Sequence, residues 1–464
     1  LFIGFSVGGR AEEPRPNFVF FITDDISAED IGPYGNRQIQ TPHLDRMAAG
    51  AMVFDRAFLV ISSCSPSRCS IITGRYPHNH GAPELHMDLP QTQATFVREL
   101  RNAGYHTVIS GKNHMGNPAA LGFSKTSPGT GPGASEDWVQ LLRDRPKDKP
   151  FFAWFASHDA HRAWTVDDVS PRYGPETVRV PPYLVDGPQT RQDLAGYYHE
   201  ISRTDATLGS LLAELDRQNI AQNTYVIYCS DNGRPFPRCK TRLYNSGVQT
   251  PLIIRRPGHV APARTQSLVS SIDLGPTFLE MAGLPTLASA QGVSFAPVLK
   301  DPRAEVRDYA FSEHNWHVFA AHERSVRFGK WLFIRNAWPS RRALCLESTD
   351  AYPAGKELWD GHAKKRTTPD QEDVFLQPRP GEEFYDTESD PHQLQNRIAS
   401  GEFAPQIREA REILERWTRE TGDTVPKDPT PDRKGEKRGG PLRGEMPGAS
   451  AGAASIVAKG PVRR

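Results

Sequence analysis

Cysteine is scarce and odd in number, five among 464 residues, so at least one thiol lacks a partner and no disulfide framework can be read from the spacing. Beyond the first few residues no run approaches the ~20 apolar residues of a membrane-spanning helix. No transmembrane segment is therefore expected. Net charge is nearly absent, with 56 Lys/Arg against 55 Asp/Glu, which argues against a nucleic-acid partner recognised by bulk charge. Internal repeats are missing too. What remains, 37% hydrophobic and 24% charged residues, is the composition of a globular protein with ample material for a buried core. One asymmetry stands out: from Lys427 to Arg464 there are nine Lys/Arg and four Asp/Glu, a basic tail on a mildly acidic body.

The opening Leu1-Phe2-Ile3-Gly4-Phe5 resembles the end of an apolar signal segment, followed by polar Glu12-Glu13-Pro14-Arg15-Pro16. Residues 1–16 are accordingly expected to be a signal remnant and linker, and the protein to be exported to a periplasmic, extracellular or lysosome-like compartment. Asn17 to Ile22 is then a continuous apolar run ending in Thr23-Asp24-Asp25, the pattern of a parallel strand buried on both faces. Similar runs at Tyr105 to Ile109, Phe151 to Phe155, Tyr225 to Cys229 and Pro251 to Ile254 alternate with helical patterns at Pro42 to Ala49, Phe96 to Ala103 and Leu194 to Arg217. Such alternation predicts an α/β fold with a mostly parallel sheet over 17–301, its site beyond the carboxyl ends of the strands. From about Pro302 the segments become short and alternating. Ser325 to Phe328 and Trp331 to Arg335 are joined by Gly329-Lys330 like a hairpin, and Phe403, Ile407, Ala410, Ile413, Leu414 and Trp417 share one helical face. A small C-terminal α+β domain, an antiparallel sheet with a packed helix, is expected over 302–423. Residues 424–464, rich in Pro, Gly, Lys and Ala, are expected to be disordered.

The most informative string is Ser63-Cys64-Ser65-Pro66-Ser67-Arg68, continuing to Thr73-Gly74-Arg75. Pro66 suits the first turn of a helix, which puts Cys64 at the positive helix end and sends Arg68 into the same space. Alone, the plainer reading is a buried Cys and a surface Arg. Asp24 and Asp25 end one strand while Asp231 and Asn232 end another, so the sheet can gather four hard oxygen ligands suited to Ca2+ or Mg2+. Either pair alone is equally an Asx turn or a helix cap.

Cys-x-Pro-x-Arg followed by Thr-Gly-Arg resembles the signature of the type I, formylglycine-dependent sulfatases. Further pieces fall in family order: Asp24-Asp25, Thr41-Pro42-His43-Leu44-Asp45, Gly111-Lys112-Asn113-His114, His158-Asp159-Ala160-His161, Ser230-Asp231-Asn232-Gly233 with Lys240, and a late Phe384-Tyr385-Asp386 to Asp390-Pro391. The resemblance implies an alkaline-phosphatase-like fold and oxidation of Cys64 to formylglycine by a maturation enzyme. It also implies one Ca2+ held by Asp24, Asp25, Asp231, Asn232 and the modified Cys64. Arg68, Lys112, His114, His161 and Lys240 become the catalytic cationic set, His161 and Lys240 on the leaving-group side and His114 near the nucleophile. A hydrated aldehyde explains the modification: one hydroxyl attacks sulfur, and the other expels sulfate as the carbonyl re-forms. A sulfated saccharide is the expected substrate. A phosphodiesterase or phosphonate monoester hydrolase of the same superfamily, and a catalytically inactive glycan-binding relative, are the alternatives.

Two strings are similar to the heparan N-sulfatase (sulfamidase) branch: Thr73 to Gly81 with Leu85-His86, and Asp231 to Pro237 with Thr241 to Tyr244. They suggest His80 and His86 as sugar contacts. One departure is Lys240, where the branch carries Arg. Cys69 is expected to be a core residue, and the positions of Cys229 and Cys239 on either side of the Asp231-Asn232 turn leave a bridge between them open.

Overall fold

The computed structural model describes residues 14–433, 446, 448–449 and 452–464. The expected signal remnant falls almost wholly in residues 1–13, outside the described residues. At the centre lies the strand Asn17–Thr23, whose seven residues are all buried. Phe18, Phe20 and Ile22 face a core shared with Phe96, Trp154 and Phe278, while Val19 and Phe21 face a second core with Trp138, Tyr197 and Tyr228. Burial on both faces is the physical reason for the unbroken apolar run.

The eight-stranded sheet runs, in spatial order, Lys125–Ser127, His106–Gly111, Phe151–Ala156, Asn17–Thr23, Thr224–Ser230, Leu252–Arg255, Met52–Phe54 and Ala263–Thr265. The first five are mutually parallel, and Leu252–Arg255 runs antiparallel to both of its neighbours. Ile22 pairs with Ala156 and Cys229, and Gly111 pairs with Ala156. Four adjacent strands therefore end level with one another, each releasing a motif on the same edge.

The second sheet is antiparallel throughout, in the order Ala310–His314, Glu323–Phe328, Trp331–Asn336, Glu382–Asp386. Phe328 pairs with Trp331 across the Gly329-Lys330 turn, as the hairpin signal predicted. The helix Ala404–Thr421 covers one face through Ile407, Leu414 and Trp417. The opposite face packs on the main body through Leu243, Tyr244 and Leu268. A helix not expected from sequence, Pro353–Ala363, leaves this sheet and returns to the main body, where Ala354 joins the second core.

The expected disorder after Thr424 needs correction wherever those residues are described. Arg75 donates to Ala454 O and Ile456 O at 3.0 and 2.6 Å, Asn79 to Ala453 O at 2.8 Å and Gln291 to Ala458 O at 2.8 Å. Trp316 Nε1 donates to Pro431 O at 2.8 Å. Composition misleads here because the segment is held largely by its backbone carbonyls, which accept from buried side chains of the body, and few large apolar side chains are needed for that.

Candidate active site

Ser63, extended at φ −153°, caps the helix Cys64–Thr73, whose first hydrogen bond runs from Ser67 N to Ser63 O at 2.9 Å. Pro66 costs that first turn nothing, since its missing N–H would have been unpaired there. The helix ends at Gly74, φ 67°, where an added Cβ would crowd Ala290, Ile272 and Pro276 at 3.2–3.3 Å. Gly111 is more tightly constrained: at φ 86° a Cβ would lie 2.0 Å from Ala156 O. That glycine lets the chain turn at the strand end, and Lys112 N then donates to Ala156 O.

Around Cys64 the structure gathers ten of the twelve residues singled out from sequence. Its Sγ lies 3.9 Å from Asp24 Oδ1 and accepts from Asn232 Nδ2 at 3.3 Å. Arg68, wholly buried, donates from Nε to Asp231 Oδ2 at 2.7 Å and from Nη1 to Lys112 O at 2.9 Å. Lys112 pairs with Asp24, and Lys240 pairs with Asp25 Oδ2 at 2.7 Å. His161 Nδ1 lies 2.6 Å from Arg162 O, and His114 Nε2 lies 2.7 Å from His86 Nδ1.

The three carboxylates of the cluster respond differently to their surroundings. Burial disfavours ionisation of Asp24, yet Lys112, His161, Arg68 and Lys240 together hold its carboxyl well below the usual range. Asp25 goes the other way. Burial, with Asp24 and Asp231 adding repulsion, pushes it well above that range against Lys240, and Asp231 is raised by burial and Asp24 despite Arg68. The three carboxylates, each paired with a Lys or Arg, form an oxygen-rich buried cluster of the kind that hard cations occupy. Atoms of Asp24, Cys64 and Asp231 lie within 4.8 Å of one another. The Asn232 Nδ2 group donates to Asp25, Asp231 and Cys64, while its Oδ1 is buried without a partner. Turning that amide over presents a fourth oxygen to the same space, so the donor set fits a hard divalent cation.

Two further buried groups are open to an anion: Arg68 Nη2 and His114 Nδ1 have no partner among the described residues. Burial, followed by Lys112, lowers His114 to about 2, and burial with Lys240 and Lys112 lowers His161 to about 3. Burial also pushes the Cys64 thiol up to about 11.

The two remaining sequence candidates part company. His86 is exposed beside His114, its backbone N donating to Ser65 Oγ at 2.7 Å. His80, expected as a sugar contact, is wholly buried. Its Nδ1 accepts from Ala82 N at 3.1 Å, so its Nε2–H faces Pro66 O and Ser70 Oγ at 3.2 and 3.1 Å. It braces the helix that carries Cys64. No bridge joins Cys229 and Cys239; all five cysteines are free and buried, and Cys69 is core.

Sequence reasoning missed His317, whose Nδ1 lies 2.7 Å from Ser63 Oγ, and Glu347, a buried carboxylate facing Lys240 and His161. Neither carries a local motif that would mark it. Arg162 was missed as well, although it directly follows the predicted His161.

Comparison with known proteins agrees with this geometry. The sulfatase family model matches residues 16–130 and 134–284, and the model of the N-sulphoglucosamine sulphohydrolase C-terminal region matches 239–337. The chain is 29% identical to human N-sulphoglucosamine sulphohydrolase over 474 aligned positions, covering 88% of this chain and 91% of the relative. It is 26% identical to an ulvan-active sulfatase of Formosa agariphila, covering 88% and 76%. Among solved structures, one in complex with its substrate D-glucosamine-2-N,6-O-disulfate superposes with a TM-score of 0.68 at 20% identity, covering 88% of this chain and 98% of that one. The phosphonate monoester hydrolase of Agrobacterium radiobacter gives 0.65 at 17%, covering 86% and 95%, so the fold is shared with phosphorus chemistry too. With more than half of its length matched by the family model, and with relatives named as sulfatases and sulfohydrolases, the chain belongs to the sulfatase family, in its sulfamidase-like branch, and is a sulfuric ester hydrolase.

Proposed function

We propose that the protein hydrolyses the sulfamate or sulfate ester of a sulfated carbohydrate, with N-sulfoglucosamine as the preferred unit, using Cys64 matured to formylglycine and a Ca2+ held by Asp24, Asp25, Asp231, Asn232 and residue 64. The observation that carries the reading is the buried ring of Arg68, Lys112, His114, His161 and Lys240 around a helix terminus that bears the maturation motif. The match to the N-sulphoglucosamine sulphohydrolase C-terminal model supports the preference for an amino sugar.

The thiol itself is a poor nucleophile here. Burial pushes it up to about 11, so little thiolate is present at neutral pH, and a sulfated thiol would have no internal exit, which a hydrated formylglycine would offer through its second hydroxyl. Because Cys64 is only 2% exposed, the maturation enzyme has to reach it before the chain folds. Ca2+ would supply charge at the sulfate oxygens and hold residue 64 in place. With a cation taking up Asp24 and Asp25, Lys112 and Lys240 are freed to bind sulfate oxygens, and Arg68 Nη2 adds a fixed donor. His161, with Nδ1 against Arg162 O, turns Nε2 to the leaving atom and relays a proton to it. An approaching sulfate anion favours that proton by raising the basicity of a ring that burial first, and then two lysines, otherwise keep neutral.

The test is sulfate release from N-sulfoglucosamine, its 6-O- and 3-O-sulfated isomers and 4-nitrophenyl phosphate, together with peptide mass analysis at residue 64. Release from the N-sulfate, with an aldehyde or its hydrate at residue 64, is expected. An active preparation with an intact thiol there removes the mechanism. Turnover of the phosphate alone moves the chain to the phosphonate hydrolase reading.

A further inference from the structure

Glu347 lies in the short turn Leu346–Ser348, on the connection between the third and fourth strands of the small sheet. It is 5% exposed, and its Oε2 is buried with no hydrogen-bond partner among the described residues. The turn is held firmly. Trp359 Nε1 donates to Ser348 O at 2.8 Å and Cys345 Sγ lies 3.0 Å from Ser348 Oγ, while in the helix that follows the turn Ala354 N donates to Asp193 Oδ2 at 3.1 Å. Asp193 also grips the Arg162 guanidinium with both oxygens, and that guanidinium sits 4.6 Å over the Tyr352 ring. The Glu347 turn and the His161 turn are thus two sides of one packed unit.

Burial opposes ionisation of Glu347, but Lys240 first, then a hydrogen bond from its own backbone N–H, then His161 and Arg162, hold it below its ordinary value, so it carries its charge at neutral pH. The cations nearby have other partners: Lys240 Nζ bonds Asp25 Oδ2, and Arg162 is taken by Asp193 and Pro235 O. A charged oxygen left without a donor in a buried site is the mark of an acceptor waiting for a ligand.

We propose that Glu347 is the specificity residue for the leaving group: it accepts a hydrogen bond from the nitrogen of an N-sulfated amino sugar and stabilises the positive charge that this nitrogen acquires during cleavage. The inference rests on the reading above that His161 and Lys240 face the leaving atom. In R–NH–SO3− the nitrogen takes a proton relayed by His161, giving R–NH2+–SO3−. The S–N bond then breaks with its electron pair going to nitrogen, R–NH2 departs, and the sulfur group passes to the hydroxyl oxygen at residue 64, whose proton goes to water as the S–O bond forms. An ester oxygen leaves by gaining negative charge, which a carboxylate beside it opposes. Lys240 alone would repel the cationic nitrogen, and Glu347 offsets it. Site-built hydrogen bonds of this kind discriminate strongly between substrates.

The experiment compares matured wild type with Glu347→Gln and Glu347→Asp on N-sulfoglucosamine and on 4-nitrophenyl sulfate, and measures wild-type binding of glucosamine and glucose by calorimetry. The loss in kcat/KM of Glu347→Gln on the N-sulfate should exceed its loss on the aryl ester by about tenfold or more. Glu347→Asp should recover part of it, and wild type should bind glucosamine more tightly than glucose. Equal losses on both substrates, no preference for glucosamine, or cleavage of O-sulfated sugars without the N-sulfated one overturns the role of Glu347 and leaves the sulfatase reading standing. Release of sulfate from none of these substrates overturns the reading itself. If Glu347→Gln does not fold, the wild-type binding preference alone decides.

Discussion

Asp25 sits at φ 61°, with its carboxylate between Lys240 and the Asn232 amide. Removing its charge leaves Lys240 buried without its partner and the cation with a neutral, weaker ligand. Asp25→Asn should therefore lower bound Ca2+, read by elemental analysis, and turnover together, by about 10² or more in kcat. Full activity after exhaustive chelation would contradict the metal reading. Of the three histidines between Tyr76 and His86, His80 and His86 should separate cleanly. His80→Ala removes a buried ring hydrogen-bonded to the first turn of the Cys64 helix and should cost about 2–4 kcal/mol of stability. His86→Ala, exposed beside His114, should raise KM with little change in Tm. At this scale the motif residues were legible because charge and spacing are local properties. The direction in which a loop histidine points is not local: six positions apart, one is enclosed and the other open.

Among the elements, the segment from Ser157 to Arg162 is fixed by the long helix Pro188–Arg217 rather than by its own sequence. Arg203 holds Asp159 at 2.6 and 2.7 Å, and Asp193 holds Arg162 at 2.5 and 2.7 Å. Asp193→Ala strips the partner from a buried guanidinium, an effect worth about 3–5 kcal/mol. It should lower Tm and reduce kcat more than KM, because the carbonyl that orients His161 belongs to Arg162. A second element-level prediction concerns Glu84. Burial lifts its carboxyl to about 7 while Thr430 Oγ1 donates to it at 2.6 Å. The folded state holds this proton more tightly than the unfolded chain does, so the contribution is full below the ordinary value near 4.5 and is lost as pH rises through about 7. Wild-type Tm should fall across that window, and Glu84→Gln should show a smaller fall. The strands and helices themselves were readable in advance, because burial on both sheet faces demands continuous apolar runs. The Pro353–Ala363 helix was not: its anchor on the body, Asp193 to Ala354, spans 161 residues.

For the whole molecule the decisive test is the C-terminal segment. Removing residues 424–464 strips acceptors from Arg75, Asn79, Gln291 and Trp316, all buried. Each donor left unpaired costs about 1–3 kcal/mol. Truncation at Thr424 should therefore lower Tm by several degrees in scanning calorimetry, and an unchanged Tm would mean the segment does not hold the body. Arg75 belongs to the turn that ends the Cys64 helix, so activity should suffer as well.

The sequence by itself determined the α/β body, the strand ends that bear acidic and cationic groups, and the helix that presents Cys64. These follow from apolar periodicity and from chemistry confined to a few neighbouring residues. Only the tertiary structure decided that His80 faces inward, that Glu347 is buried near Lys240 and His161, and that the described part of a chain end poor in large apolar side chains is tied down. Each of these depends on partners remote in sequence, Asn79 and Ala453 standing 374 residues apart. Such pairings come from how packed layers meet, and a backbone carbonyl that accepts one of those bonds has the same chemistry at every position, so no sequence pattern marks it.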